Sequence, residues 1–331
     1  MCGEGRSLPA PTIRRHVFSS SEDRIRASGA SVEVARRSIV PPPILFWTDR
    51  IAQGLFSVLF PSDCRICGEP LLNISRLPVC LECLAQMEPI RGNICSICGE
   101  RTLSSYAECD EDGLRRCPVC RRIERPFERA VAYGSYDEGL RELVHLLKYS
   151  RLRPAARVLG RMLAEAISTI ESSFGHAPVL VIPVPLYKGK LRQRGFNQAE
   201  LIAQAATKVF PKPERLELAS GFLLRTRDAH SQIGLTSHQR RENMRGAFAV
   251  ASAAKVIGRE VLLVDDVYTT GTTASECARV LSKAGAAKVW VATVARTLKL
   301  ASKQQGFNVS EFRSFEVEDN DAPAELETLQ P

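Results

Sequence analysis

Two adjacent carboxylates, Asp265 and Asp266, separate four apolar residues from a threonine-rich loop in VLLVDDVYTTGTT, residues 261–273. Like charges side by side at the end of a buried run are costly, because each loses hydration and repels the other. A ligand donating hydrogen bonds to both would offset that cost, and the vicinal hydroxyls of a ribose can do so. The YTTGTT that follows supplies backbone N–H groups, threonine hydroxyls and a permissive glycine ahead of a helix N-terminus, which suits a phosphate. Diol and phosphate binders in tandem describe a ribose 5-phosphate. The plainer alternative is a loop start followed by a turn and a helix cap. The Gly-Lys-Ser/Thr ending of a Walker loop is absent.

Eight of the eleven cysteines form four Cys-x-x-Cys pairs: Cys64/Cys67, Cys80/Cys83, Cys95/Cys98 and Cys117/Cys120. Each such turn can present two thiolates to one tetrahedral zinc, and two turns close a site of four thiolates. Four pairs therefore predict two structural Zn2+ ions. Glycine follows the second cysteine in CRICGEP and CSICGER, as a tight knuckle requires. Sequential pairing is the expected arrangement, first pair with second and third with fourth, although the spacing leaves other pairings open. A redox role for one pair is the lesser alternative, and catalytic zinc would need an open position that eight cysteines do not leave. Residues 61–125 hold few apolar residues besides, so zinc would supply much of their folding free energy. Cys109 stays unassigned, and Cys277 reads as a buried helix residue.

The elements that must position these groups follow from hydrophobic periodicity. AVAYGSY and VLVIPVP read as strands, as does EVLLV, expected to end at Val264 with the acidic pair just beyond it. KVWVATVA is a further strand. EGLRELVHLLKY places Leu140, Leu143, Val144 and Leu147 on one helical face, and ARVLGRMLAEAI does the same with Val158, Leu159, Met162, Leu163, Ala166 and Ile167. QAELIAQAATKVF and ASECARVLSKAG complete the helices. Continuous apolar strands alternating with helices define an α/β fold, a parallel sheet covered on both faces. Ligands of such sheets bind beyond the carboxyl ends of the strands, where Asp265 and Asp266 stand.

The chain divides into four segments. Residues 1–43 are an Arg- and Pro-containing extension expected to be disordered, or to reflect a start assigned too far upstream. Residues 44–125 comprise a short amphipathic helix over 44–60 and the cysteine module. Residues 126–300 form the α/β domain, and 301–331 an acidic tail. The net charge of +8 is uneven: residues 1–43 carry seven Arg and four acids, and residues 307–331 one Arg and seven acids, leaving +11 between them. Two zincs on eight thiolates would add −4 and bring that to about +7. Such an excess suits a phosphate-bearing partner and is equally what a solvated basic surface shows. With no apolar run long enough for a bilayer span and no signal-peptide pattern, a cytoplasmic address is expected.

The stretch VLLVDDVYTTGTT resembles the signature of type I phosphoribosyltransferases, which bind 5-phosphoribosyl-1-pyrophosphate (PRPP). VIPVPLYKGKLRQRGFNQAELIAQ and the four cysteine pairs resemble the ComF family, linked in some bacteria to DNA uptake during competence. Together these cover about residues 44–300. The resemblance implies a phosphoribosyltransferase-like sheet behind a double zinc ribbon. It gives Asp265 and Asp266 to the ribose hydroxyls and Thr269, Thr270, Gly271, Thr272 and Thr273 to the 5-phosphate. PVPLYKGK sits where such enzymes place a pyrophosphate loop, implicating Tyr187 and Lys188. Arg192 and Arg194 follow, suited to neutralising a polyanion, with Asn197 and Gln198; a basic helix start on the surface is the alternative. Residues 225–248 resemble the mobile hood of the superfamily, with Arg225, Gln232, Arg240 and Arg241 as its ligands. His230 and His238 read as solvated hood residues and His145 as structural. Lys148–Tyr149 resembles a recurrent dipeptide of the family with no role derivable from the residues.

Two functions compete. One is transfer of phosphoribosyl from PRPP, with Mg2+ bound through the pyrophosphate, to a nitrogen acceptor that no residue pattern specifies. Lys188, Arg192 and Arg194 would serve the reacting centre beside the acidic pair. The other is a non-catalytic accessory of DNA uptake or processing that senses a nucleotide, its zinc module contacting single-stranded DNA or a helicase-type partner protein. The module lacks the interleaved aromatic and basic residues of a strand-stacking surface. Nothing in the sequence fixes an oligomeric state.

Overall fold

The computed structural model describes residues 62–71, 76–102, 113–228 and 242–298. The helix expected over 44–60, both terminal extensions, Cys109, His230 and His238 lie outside these residues. Five strands form one parallel sheet: β1 (Arg129–Ser135), β2 (Val179–Pro183), β3 (Leu216–Leu218), β6 (Glu260–Tyr268) and β7 (Lys288–Arg296), in the order β1-β7-β6-β2-β3. A separate antiparallel hairpin joins β4 (Leu223–Arg225) and β5 (Phe248–Val250) at the base of the expected hood. The central strands are apolar on both faces, as a doubly covered parallel sheet demands.

The cysteine module contributes two short helices, α1 (Leu81–Ala85) and α2 (Pro118–Arg122). Of the longer helices, α3 (Glu138–Lys148) and α4 (Ala155–Ser168) precede β2, and α5 (Lys188–Arg194) and α6 (Gln198–Val209) follow it. Helix α7 (Thr272–Lys283) joins β6 to β7. One face of the sheet carries α3, α4 and α6, whose Leu143, Leu147, Leu159, Leu163 and Ile202 bury against Leu262, Val264 and Ala292. The opposite face carries α7, with Cys277, Ala278 and Leu281 packed on Val261, Leu263 and Val291.

The cysteine module does not stand apart from this core. Leu77, Val79, Cys83 and Met87 belong to the first apolar cluster, while Cys95, Cys98, Cys117, Cys120 and Phe127 belong to the second. The two halves of the module therefore brace opposite faces of the sheet. Tyr133 Oη, on β1, donates to the backbone oxygen of Met87 at 2.8 Å and ties the first half down.

Two boundaries differ from expectation. β6 does not stop at Val264 but continues through Asp265 and Asp266 to Tyr268, because β7 is long enough to pair with it as far as Arg296. The stretch PVPLYKGK is also less of a loop than expected. β2 ends at Pro183 and α5 begins at Lys188, so only residues 184–187 are irregular and Lys188, Arg192 and Arg194 lie on a helix.

Helices α4 and α6 touch at Gly160, where an added Cβ would meet the Ala206 backbone nitrogen at 2.9 Å and the Ala205 carbonyl carbon at 3.0 Å. Gly160→Ala gains about 1 kcal/mol of helix propensity but forces these backbones apart, an overpacking cost of about 1–3 kcal/mol. Urea unfolding is expected to show a net loss of stability.

Candidate functional site

Extension of β6 decides how the acidic pair is held. Successive side chains of a strand point to opposite faces, so the two carboxylates part. Asp266, 5% exposed, meets Lys148 at the end of α3, with Nζ 3.0 Å from Oδ2. Burial alone would push the Lys148 ammonium down, but Asp266, with Asp265 behind it, holds it above its ordinary value. Asp265 turns toward the α7 side. Its Oδ1 accepts from the Asp266 backbone N–H at 2.9 Å. Burial and the Asp266 charge push the Asp265 carboxyl up to about 7, with Lys148 and Arg225 offsetting part of the effect. On the same side the Cys277 thiol is raised well above its ordinary value by burial first and by the nearby Asp265 and Glu276 charges next.

Of the residues expected to hold a phosphate, Thr269, Thr270 and Gly271 link β6 to α7, and Thr272 and Thr273 open that helix. Gly271 caps the helix at φ +74°, a left-handed conformation that favours glycine, and it has no side chain to cap the first turn. No acidic residue occupies that turn, so the helix N-terminus keeps both its free N–H groups and its positive end for an anion. Thr270 and Thr272 share a hydroxyl–hydroxyl bond at 2.8 Å. The alternative of an ordinary capped turn therefore has no capping side chain.

The remaining expected site residues fall into three groups. Lys188 and Arg192 are exposed on α5, and Tyr187 is its N-cap residue. Arg194 Nη1 donates to Gln198 Oε1 at 2.6 Å, and its guanidinium lies 5.7 Å from the centre of the Tyr149 ring. Asn197 and Gln198 serve structure: Asn197 caps α6 by accepting from the Ala199 N–H and donates to the Val184 oxygen at 3.0 Å. Arg225 ends β4 and stacks over Phe248 at 5.6 Å. Gln232, Arg240 and Arg241 lie outside the described residues. His145, half-buried, sits edge-on to Tyr149 at 5.1 Å, and burial with Arg141 lowers its pKa.

Two residues were not singled out for the site by type or spacing. Lys148 is the counter-cation of Asp266, legible only as half of an unexplained dipeptide. Glu276, 8% exposed on α7, accepts from the Gly246 N–H at 2.7 Å and from Arg279 at 2.6 and 2.8 Å, anchoring the turn before β5 to α7. Both follow from contacts between segments far apart in sequence. Beside Glu276 a cleft of about 440 Å3 opens between Arg125, Arg245, Thr272, Ser275 and Arg279. Its Glu276 and Arg279 are spent on each other.

The cysteines gather as sequential pairing predicts: Cys64, Cys67, Cys80 and Cys83 in one tetrad, Cys95, Cys98, Cys117 and Cys120 in the other. A tetrahedron with Zn–S bonds of about 2.3 Å separates its sulfurs by about 3.8 Å. The Sγ atoms of Cys64 and Cys83 lie 3.9 Å apart, those of Cys67 and Cys80 3.8 Å, and those of Cys98 and Cys117 3.7 Å, so both sets fit zinc. The knuckles are near copies. Cys64 N–H reaches the Glu69 oxygen and Cys95 N–H the Glu100 oxygen, each at 2.8 Å, with Gly68 and Gly99 at φ +77° and +69°. The second tetrad is wholly buried, whereas Cys67 of the first is exposed. Among the described residues no helix is long and apolar enough to cross a membrane.

Strand order, the acidic pair ahead of a threonine-rich loop, and paired tetrads define a phosphoribosyltransferase-type domain carrying a zinc-ribbon-like module. The family model for the phosphoribosyl transferase domain matches residues 200–323. DNA utilization protein YhgH of Shigella flexneri is 33% identical over 212 residues, 62% of this chain and 91% of the relative. Competence protein F of Haemophilus influenzae is 30% identical over 225 residues, 66% of this chain and 96% of the relative. The chain belongs to their family, the ComF family. Among solved structures it is similar to the allosteric regulatory enzyme of purine biosynthesis at 22% identity and a TM-score of 0.29, over 46% of this chain and 30% of that one. That likeness carries no weight; the fold class rests on the strand order and the domain match.

Elemental analysis of the purified chain should find about two zincs, and stripping them with a chelator should unfold the cysteine module. The raised Asp265 carboxyl makes its contribution to stability fully present below about pH 4 and lost as pH rises through about 7. Asp265→Asn should therefore gain stability relative to the parent between pH 5 and 8, measured by urea unfolding.

Proposed function

We propose that the chain binds Mg2+-PRPP at the carboxyl edge of the sheet and transfers its phosphoribosyl group to a nitrogen nucleophile. The observation that carries this reading is the arrangement of β6 and α7: an acidic pair leading into an uncapped helix N-terminus across Gly271. In this reading the 269–273 loop takes the 5-phosphate. Asp265 and Asp266 accept from the ribose hydroxyls, Asp266 keeping Lys148 as counter-cation. Lys188, Arg192 and Arg194, on the helix after β2, meet the pyrophosphate with Tyr187 at their head. Mg2+ carried with the donor would neutralise the leaving group through pyrophosphate and ribose oxygens. The nitrogen forms a bond to C1 as the C1–O bond to pyrophosphate breaks, the electron pair leaves with the pyrophosphate, and the nitrogen's proton passes to that pyrophosphate or to solvent. Residues 225–248 would close over the donor and exclude water from the cationic centre.

A second reading, an accessory factor that handles single-stranded DNA, is favoured by one observation at a different place from the zinc module. Tyr149 is 68% exposed with the Arg194 guanidinium against its ring, and Arg151 reaches across to the Gln193 oxygen at 2.7 Å. These contacts join two basic segments, residues 148–153 and 188–194, that carry no acid. An exposed ring amid cations is what base stacking uses.

Calorimetry separates the two. Mg2+-PRPP should bind the parent chain, and Asp265→Asn with Asp266→Asn should weaken it about tenfold or more, the cost of losing charged hydrogen-bond acceptors. Equal binding, or none to either, rejects the site. Pyrophosphate release across a panel of nucleobases tests turnover. Silence there, with tight and salt-sensitive oligonucleotide binding lost in Tyr149→Ala, selects the accessory role.

A further inference from the structure

The two tetrads differ in what they touch. The first reaches the sheet through Tyr133 and the apolar side chains under α3 and α4. The second reaches the edge where the phosphate loop starts. Arg296, the last residue of β7 and 2% exposed, donates through Nη2 to Glu100 Oε2 at 2.8 Å and through Nη1 to the backbone oxygen of Cys98. Glu100 is the residue whose backbone oxygen closes the Cys95 knuckle, so Arg296 grips that knuckle at two points.

The same guanidinium lies over the Tyr268 ring, 5.0 Å from its centre, and Phe127 meets that ring edge-on at 6.5 Å. Tyr268 is 4% exposed, and its hydroxyl has no hydrogen-bond partner among the described residues. That hydroxyl lies under Gly271, where an added Cβ would overlap it. The loop thus rests on an aromatic platform, and the platform rests on an arginine clamped by the second knuckle.

We propose that the second tetrad sets the position of the 269–273 loop through Glu100, Arg296 and the Tyr268 ring, making Arg296 and Tyr268 positioning residues for the phosphate site. This rests on the reading of 269–273 as a phosphate cradle. Coupling between sites is reciprocal: metal in the second tetrad orders the loop, and a ligand on the loop holds that metal. Among the described residues the first tetrad has no such path.

The test uses the full zinc-loaded chain with four variants. Arg296→Met and Tyr268→Leu remove the clamp and the platform. Tyr268→Phe keeps the ring, and Tyr133→Phe cuts the first half's hydrogen bond instead. Amide hydrogen exchange at 269–273 in the ligand-free protein should quicken in Arg296→Met and Tyr268→Leu and stay at the parental rate in the other two. Affinity for Mg2+-PRPP should fall about tenfold in the first pair, as for a coupling of ordinary size. Unchanged exchange in both of the first pair, or an equal change in Tyr133→Phe, overturns the proposal. If those variants fail to fold, the parent decides alone: chelator-driven zinc release should show two phases, with Mg2+-PRPP slowing one. Slowing of both phases alike, or of neither when the ligand binds, also overturns it. A parent that binds no PRPP rejects the functional reading, while exchange at 269–273 still judges the coupling.

Discussion

The pairing of β6 with β7 out to Tyr268 and Arg296 is the constraint on which the site depends. Had β6 ended at Val264, both carboxylates would sit on a pliable loop, free to turn away from each other into water. Kept in the strand, they are fixed by its two-residue period on opposite faces, each with a different neighbour. Asp266 has the Lys148 ammonium at 3.0 Å, and among the described residues Asp265 has only a backbone N–H and partial compensation from more distant cations. Like charges on adjacent residues are thereby made tolerable by unequal treatment: one is paired with the Lys148 ammonium, the other is raised to where a proton is shared with solvent near neutrality. In the proposed donor-binding role this would help, because the less compensated carboxylate is the one whose charge a bound cation would restore.

Much of the scaffold was legible because its signals are local. The 3.6-residue spacing of Leu140, Leu143, Val144 and Leu147 reports their burial on α3, and the apolar runs of β2, β6 and β7 report a sheet covered on both faces. The knuckles are more local still, since ligand spacing and the following glycine lie within one turn. The end of β6 was not legible, because the run Asp265–Asp266 reads as a break and only the length of β7 keeps it in the ladder. Lys148 escaped for the same reason: its partner comes from a strand far along the chain. Glu100 and Arg296 are 196 residues apart, and nothing in either neighbourhood marks them as a buried pair.

The cysteine module also corrects an inference from composition. Its few apolar residues argued for a small body that zinc must fold, and the fit of both tetrads to tetrahedral spacing agrees. Yet Leu77, Val79 and Met87 bury in the same cluster as α3 and α4, and the second tetrad buries with Phe127 and α7. A module with too little core of its own can borrow that of its neighbour, provided its contact surface is as apolar as an interior. The consequence is mechanical: metal loss at either tetrad would loosen a face of the sheet as well as the module.

Charge makes that coupling stronger at the second tetrad. A zinc held by four thiolates would carry a net −2, placed beside half-buried Arg125 and fully buried Arg296. The Cys98 and Cys120 sulfurs act with Tyr268 to hold Arg125 above its ordinary value against the pull of burial. Arg125 in turn reaches Ser275 on α7 at 3.3 Å. Four neutral thiols would leave half-buried Arg125 with less compensation in a poorly solvated place, and Arg296 with the Glu100 carboxylate as its counter-charge. A metal there would do more than join four sulfurs. By keeping them anionic it would help hold two arginines, one bridging to α7 and one propping the tyrosine beneath Gly271.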